Sequence, residues 1–106
     1  MAQINEIITD FKYRKFMLEL SRQLNSQDLS ELRYMFSSTL PAGIVETLDT
    51  PLDVFQHLER LMFVGPNNLR KLERLFWSMG KERLSSMVKS YIFFTENDNS
   101  RANESL

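Results

Sequence analysis

His57 is the only imidazole in the 106-residue chain, and there is no cysteine to supply a thiolate. A metal site needs several convergent ligands, and no second histidine exists to join His57. Ser37-Ser38-Thr39 and Ser85-Ser86 have no evident base to activate a hydroxyl. Gly43, Gly65 and Gly80 are too scattered to cradle a phosphate. These residues point away from catalysis, cofactors and metals, and leave contact as the chemistry to look for. On a helical reading, Tyr34 points opposite the apolar stripe of its segment, given about 100° of rotation per residue. Trp77 falls beside Arg70 and Arg74, and Leu18 and Phe11 share a face with Lys15 and Arg22. Tyr, Trp and Arg dominate the energetics of protein interfaces.

Six helices are needed to position these residues, each marked by punctuation and a 3.6-residue period. The first, predicted over Phe11–Leu24, has the inward stripe Tyr13, Phe16, Met17, Leu20 and Leu24. Asn25, three residues before Asp28, opens a second with Leu29, Leu32, Met35 and Phe36 inward. Pro41 opens a short third helix, PAGIVETL, weakened by Gly43. Thr50 followed by Pro51 caps a fourth, with Val54, Phe55, Leu58, Leu61 and Met62 inward. Gly65-Pro66 breaks the chain, and Asn67 or Asn68 is the expected cap of a fifth helix with Leu69, Leu72, Leu75, Phe76 and Met79 inside. Gly80 is placed to end it in a left-handed conformation. A sixth helix carries Leu84, Met87, Val88 and Tyr91. Most of the six methionines fall on inward stripes, which reads as core filling. The polar segment TENDNSRANESL lacks periodicity and reads as a disordered tail or linker, so the chain reads as a fragment. The expected organisation is an extension over 1–10, a domain over 11–94 and a tail over 95–106. The expected fold is all-α, a six-helix antiparallel bundle.

Composition sets bounds on function. Hydrophobic residues make up 42% of the chain and charged residues 25%, as in ordinary globular domains. Thirteen basic and fourteen acidic residues give a net charge of −1, which argues against a strong polyanion binder. The N-terminus has no charged region followed by an apolar run, so no signal peptide is expected. No apolar stretch approaches the ~20 residues that cross a bilayer. These features predict a cytoplasmic or nuclear protein without a membrane partner.

The phrases DLSELRYMF, LDVFQHLE, NLRKLERLF and GKERL, in this order and spacing, resemble a death effector domain over about Phe11 to Ile92. This is the six-helix death-fold module of the Fas-associated adaptor and of initiator procaspase prodomains. The resemblance implies a non-enzymatic module that recruits apoptotic signalling components by homotypic association. Its implied partners are other death effector domain proteins, adaptor or initiator procaspase, with self-association into chains. The family forms a surface charge triad between an acid early in the second helix and an R-x-D-L motif opening the sixth. Asp28 matches that acid, Lys81 the arginine and Leu84 the leucine, but Arg83 stands where the family has Asp. Glu82 or Glu31 would have to supply the missing charge. The family also docks a hydrophobic bump on the second helix into a groove between the first and fourth helices of the next molecule. Tyr34 and Met35 match the bump, and Leu18 is placed for the receiving side.

Two other readings follow from the same residues. Arg70, Lys71 and Arg74 could make the fifth helix a nucleic-acid reader, although interspersed acids and near-neutral charge argue against phosphate binding. A regulatory decoy that blocks death effector domain assembly would share the surfaces of an adaptor.

Overall fold

The computed structural model describes the backbone from Ile4 to Glu104, and the side chains of residue 4 and residues 7–96. Six helices and no strand occur among the described residues: α1 (Ile4–Arg22), α2 (Ser26–Phe36), α3 (Ala42–Val45), α4 (Pro51–Arg60), α5 (Arg70–Ser78) and α6 (Glu82–Glu104). The chain divides into two compact units, Met1–Pro66 and Asn67–Leu106.

In the first unit, α1 and α2 both pack on α4. The whole predicted stripe of α1, from Tyr13 to Leu24, is buried, with Leu32, Phe36, Val54, Phe55 and Leu58. The Tyr13 hydroxyl donates to Glu59 Oε2 at 2.6 Å, so even the polar tip of this buried ring ties α1 to α4. Phe36 meets Phe63 edge-on, with ring centroids 6.1 Å apart. Both expected caps form. Asn25 Oδ1 accepts from the Asp28 N–H while Asp28 Oδ2 accepts from the Asn25 N–H, each at 2.8 Å. Thr50 and Asp53 make the same reciprocal box at the start of α4. Each box satisfies two amides that the helix cannot pair by itself.

The end of α4 corrects the sequence reading. Leu61 and Met62, expected inside, are 53% and 82% exposed. The Phe63 N–H bonds to the Leu58 carbonyl and the Met62 N–H to the Glu59 carbonyl. This Schellman pattern demands a left-handed residue, and Met62 occupies it at φ 60°. The reversal turns the end of the stripe outward, and Val64 enters the core instead. Met35 is also more exposed than its stripe implied, at 43%, because it lies about 60° from Leu32 on the side toward Tyr34. The third helix is shorter than PAGIVETL and buries none of its residues.

In the second unit, α5 and α6 pack on each other through Leu72, Phe76, Leu84, Val88 and Ile92. Gly80, at φ 76°, ends α5 in the expected left-handed conformation. The Lys81 N–H reaches the Phe76 carbonyl at 2.8 Å and the Gly80 N–H that of Trp77 at 3.0 Å. The Ser85 hydroxyl is buried and donates to the Glu73 carbonyl at 3.1 Å, linking the helices again. Three differences from the sequence reading stand out here. The cap position of α5 is Leu69, with no side-chain cap bond, rather than Asn67 or Asn68. In α6 it is Ile92, with Leu84 and Val88, that is buried, while Met87 and Tyr91 are half-buried. The segment expected to be a disordered tail continues α6 to Glu104. No glycine or proline follows Gly80 to stop that helix, and the Thr95 hydroxyl bonds back to the Tyr91 and Ile92 carbonyls.

The left-handed Met62 yields a test. A non-glycine residue there costs about 1–2 kcal/mol, and this side chain buries little. Met62→Gly is expected to raise stability by about 0.5–1 kcal/mol in urea melts, after glycine's greater unfolded freedom is subtracted. A lowered midpoint would show that the methionine contributes packing. By contrast, Leu58→Ala removes a fully buried side chain and is expected to cost about 2–5 kcal/mol; an unchanged midpoint would contradict the α4 core.

Candidate interaction surfaces

On α2, the residues that face inward are Asp28, Leu32 and Phe36, one above another. Tyr34 lies two residues from both Leu32 and Phe36, about 200° around the helix, and is 80% exposed. Met35, at its shoulder, extends the same projection. The segment is held firmly. Arg33 Nη2 donates to the Glu46 carbonyl at 3.3 Å and stands 3.7 Å from the Asp49 carboxylate, tying α2 to the connection before α4. Asp28 is 6% exposed, and one carboxylate oxygen serves the helix cap. Its part in a surface charge triad therefore competes with a structural task.

The outward face of α1 carries more than the sequence reading found. Leu18 is 37% exposed and Phe11 64%, as expected from their offset from Tyr13, Phe16 and Leu20. Because α1 begins at Ile4 rather than Phe11, Ile4 and Ile7 join the same sector and Ile8 borders it, all three exposed. The signal in the sequence is the spacing Ile4, Ile7, Ile8, Phe11 at i, i+3, i+4, i+7. A row of large apolar side chains left in water is the mark of an interaction site.

In the second unit, Trp77 is 63% exposed. Its neighbour Arg70 pairs with Glu96 at 3.4 Å. Trp77 also lines a shallow depression of about 200 Å³ with Glu73, Arg74, Ser85, Ser86 and Lys89. Lys81 is half-buried at the turn into α6, where its carbonyl accepts the first helical bond from the Ser85 N–H at 2.9 Å. Arg83 is exposed on the first turn of α6.

Among the described residues, Arg14 and Tyr91 are displaced from their ordinary range, and both move away from neutrality. The hydrogen bond and charge of Asp10 raise Arg14, and burial raises the Tyr91 phenol. Neither becomes a proton-transfer group at neutral pH. Among the described residues, no three His, Cys, Asp or Glu side chains converge to hold a metal, and no helix is long and apolar enough to cross a membrane.

The death effector domain family model matches residues 13–92. Among the described residues, that span runs from the first buried residue of α1, Tyr13, to the last of α6, Ile92. The family is one of protein-interaction modules of the death fold. No solved structure matches the chain.

Arg83 offers a direct test of whether the start of α6 is a binding face. A cation there opposes the helix dipole, so folding gains nothing from it. Arg83→Glu is expected to leave the melting temperature unchanged or slightly raised while weakening association more at low salt than at high. Equal association by both proteins at low salt would remove Arg83 from the surface.

Proposed function

We propose that this chain, which belongs to the death effector domain family, recruits and assembles apoptotic signalling components by homotypic death effector domain association. Its partners are death effector domains of adaptors or initiator procaspases, and further copies of itself. The observation that carries the reading is the 80% exposure of Tyr34 on a helix whose opposite side is fully buried at Leu32.

Tyr34 and Met35 form the projecting element, and the outward face of α1, with Leu18 and Phe11, receives it on the next molecule. Two dissimilar faces make a heterologous contact, which propagates into chains unless its rotation closes a ring. In the second unit, Lys81 and Arg83 supply positive charge, which sets orientation more than affinity when a partner approaches.

Sedimentation velocity tests the mechanism. Tyr34→Ala should keep the helical circular dichroism and melting behaviour, since an exposed ring contributes little to folding. It should weaken association by about 2 kcal/mol or more, the scale of an aromatic hot spot. Leu18→Glu should do the same, and mixing the two variants should give short capped species, because each keeps one intact face. Assembly of both variants like the wild type would contradict the bump-and-face contact while leaving the fold assignment in place.

A further inference from the structure

The depression beside Trp77 carries chemistry that the proposed assembly does not use. On α5, Arg74 and Trp77 are three residues apart and share a face; on α6, Ser86 and Lys89 do the same. The two pairs line one concavity. Unlike Arg70, which is neutralised by Glu96, Arg74 and Lys89 have no ion-pair partner among the described residues. The floor is pinned where the buried Ser85 hydroxyl donates to the Glu73 carbonyl. The exposed Ser86 hydroxyl remains able to donate. At about 200 Å³, the space is smaller than small-molecule pockets, which begin near ~300 Å³, and suits one or two side chains of a peptide.

We propose that this depression binds an acidic peptide segment of a partner protein, holding a carboxylate between Arg74 and Lys89 and an adjoining apolar side chain on the face of Trp77. Charge complementarity selects the occupant. Two cations and the carboxylate of Glu73 leave one positive charge in excess, which matches a single carboxylate. A phosphate dianion would bring more negative charge than the single excess positive charge of this lining balances. Glu73 also offers an acceptor for a backbone N–H of the bound segment. The indole supplies a large apolar face with little entropy to lose, as at other interface anchors. This surface belongs to a different unit from Tyr34.

Trp77 is the only tryptophan, so its emission reports the site directly. The test displays a random peptide library against the wild-type chain and against the Arg74→Glu/Lys89→Glu variant, with melting curves to establish that both fold. The wild type should enrich peptides that place Asp or Glu beside a large apolar residue. A synthetic enriched peptide should shift Trp77 emission, and its affinity should fall about tenfold or more in the charge-reversed variant. The milder Arg74→Gln/Lys89→Gln variant should lose part of that affinity, and Tyr34→Ala none. The proposal is overturned by an absence of enrichment, by peptides without acidic bias, by equal binding to both proteins or by unchanged emission. A phosphoserine replacement that binds more tightly than the carboxylate would overturn the ligand class.

Discussion

Leu32 and Phe36 cannot both be withdrawn from water without turning Tyr34 into it. The two core residues are four apart, so they stack on one face of α2, and the residue midway between them must point away. Fully burying a leucine or phenylalanine is worth about 1.5–3 kcal/mol, so rotating α2 to shelter Tyr34 would forfeit more than it recovers. The Asn25–Asp28 capping box fixes where the helix starts, and Arg33 anchors its far end to Glu46 and Asp49. The ring is thus presented by a rigid element, which limits the entropy lost when a partner orders it.

The other faces follow from similar constraints. α1 buries one continuous stripe and ties itself to α4 through the Tyr13–Glu59 bond. The price is an outward row of isoleucine, phenylalanine and leucine that the chain's own core does not use. A net charge of −1 imposes little self-repulsion on copies that approach one another. Opposed by neither charge nor an occupied core, a projecting aromatic and an apolar helix face are suited to meet between molecules.

Much of this was legible in the residues. The inward stripe of α1, the caps at Asn25 and Thr50, the left-handed Gly80 and the exposure of Tyr34 and Trp77 all follow from periodicity and local hydrogen-bonding rules. Several of the differences share one cause, which is that helix ends depend on more than local pattern. Met62 stands where a glycine is usual, so the turn after α4 carried no sequence signal. Ile4, Ile7 and Ile8 lie outside the inward stripe that marks α1, so the start of that helix carries no burial pattern. The polar segment after Phe94 has no apolar stripe to mark it as helix, although no glycine or proline interrupts it. The Trp77 depression combines side chains from α5 and α6, and no single helical segment discloses that juxtaposition.

Because the chain contains no cysteine, disulfide trapping can interrogate the central contact without background. A mixture of Ser30→Cys and Lys15→Cys chains, exposed positions one turn from Tyr34 and Leu18 that leave both contact residues in place, oxidised mildly, should form the mixed disulfide faster than Ser30→Cys paired with a cysteine at exposed Lys89. Such a bond requires Cα atoms within about 7 Å, so it reports docking of α2 of one molecule on α1 of another. Formation no faster than with the Lys89 control would contradict the account.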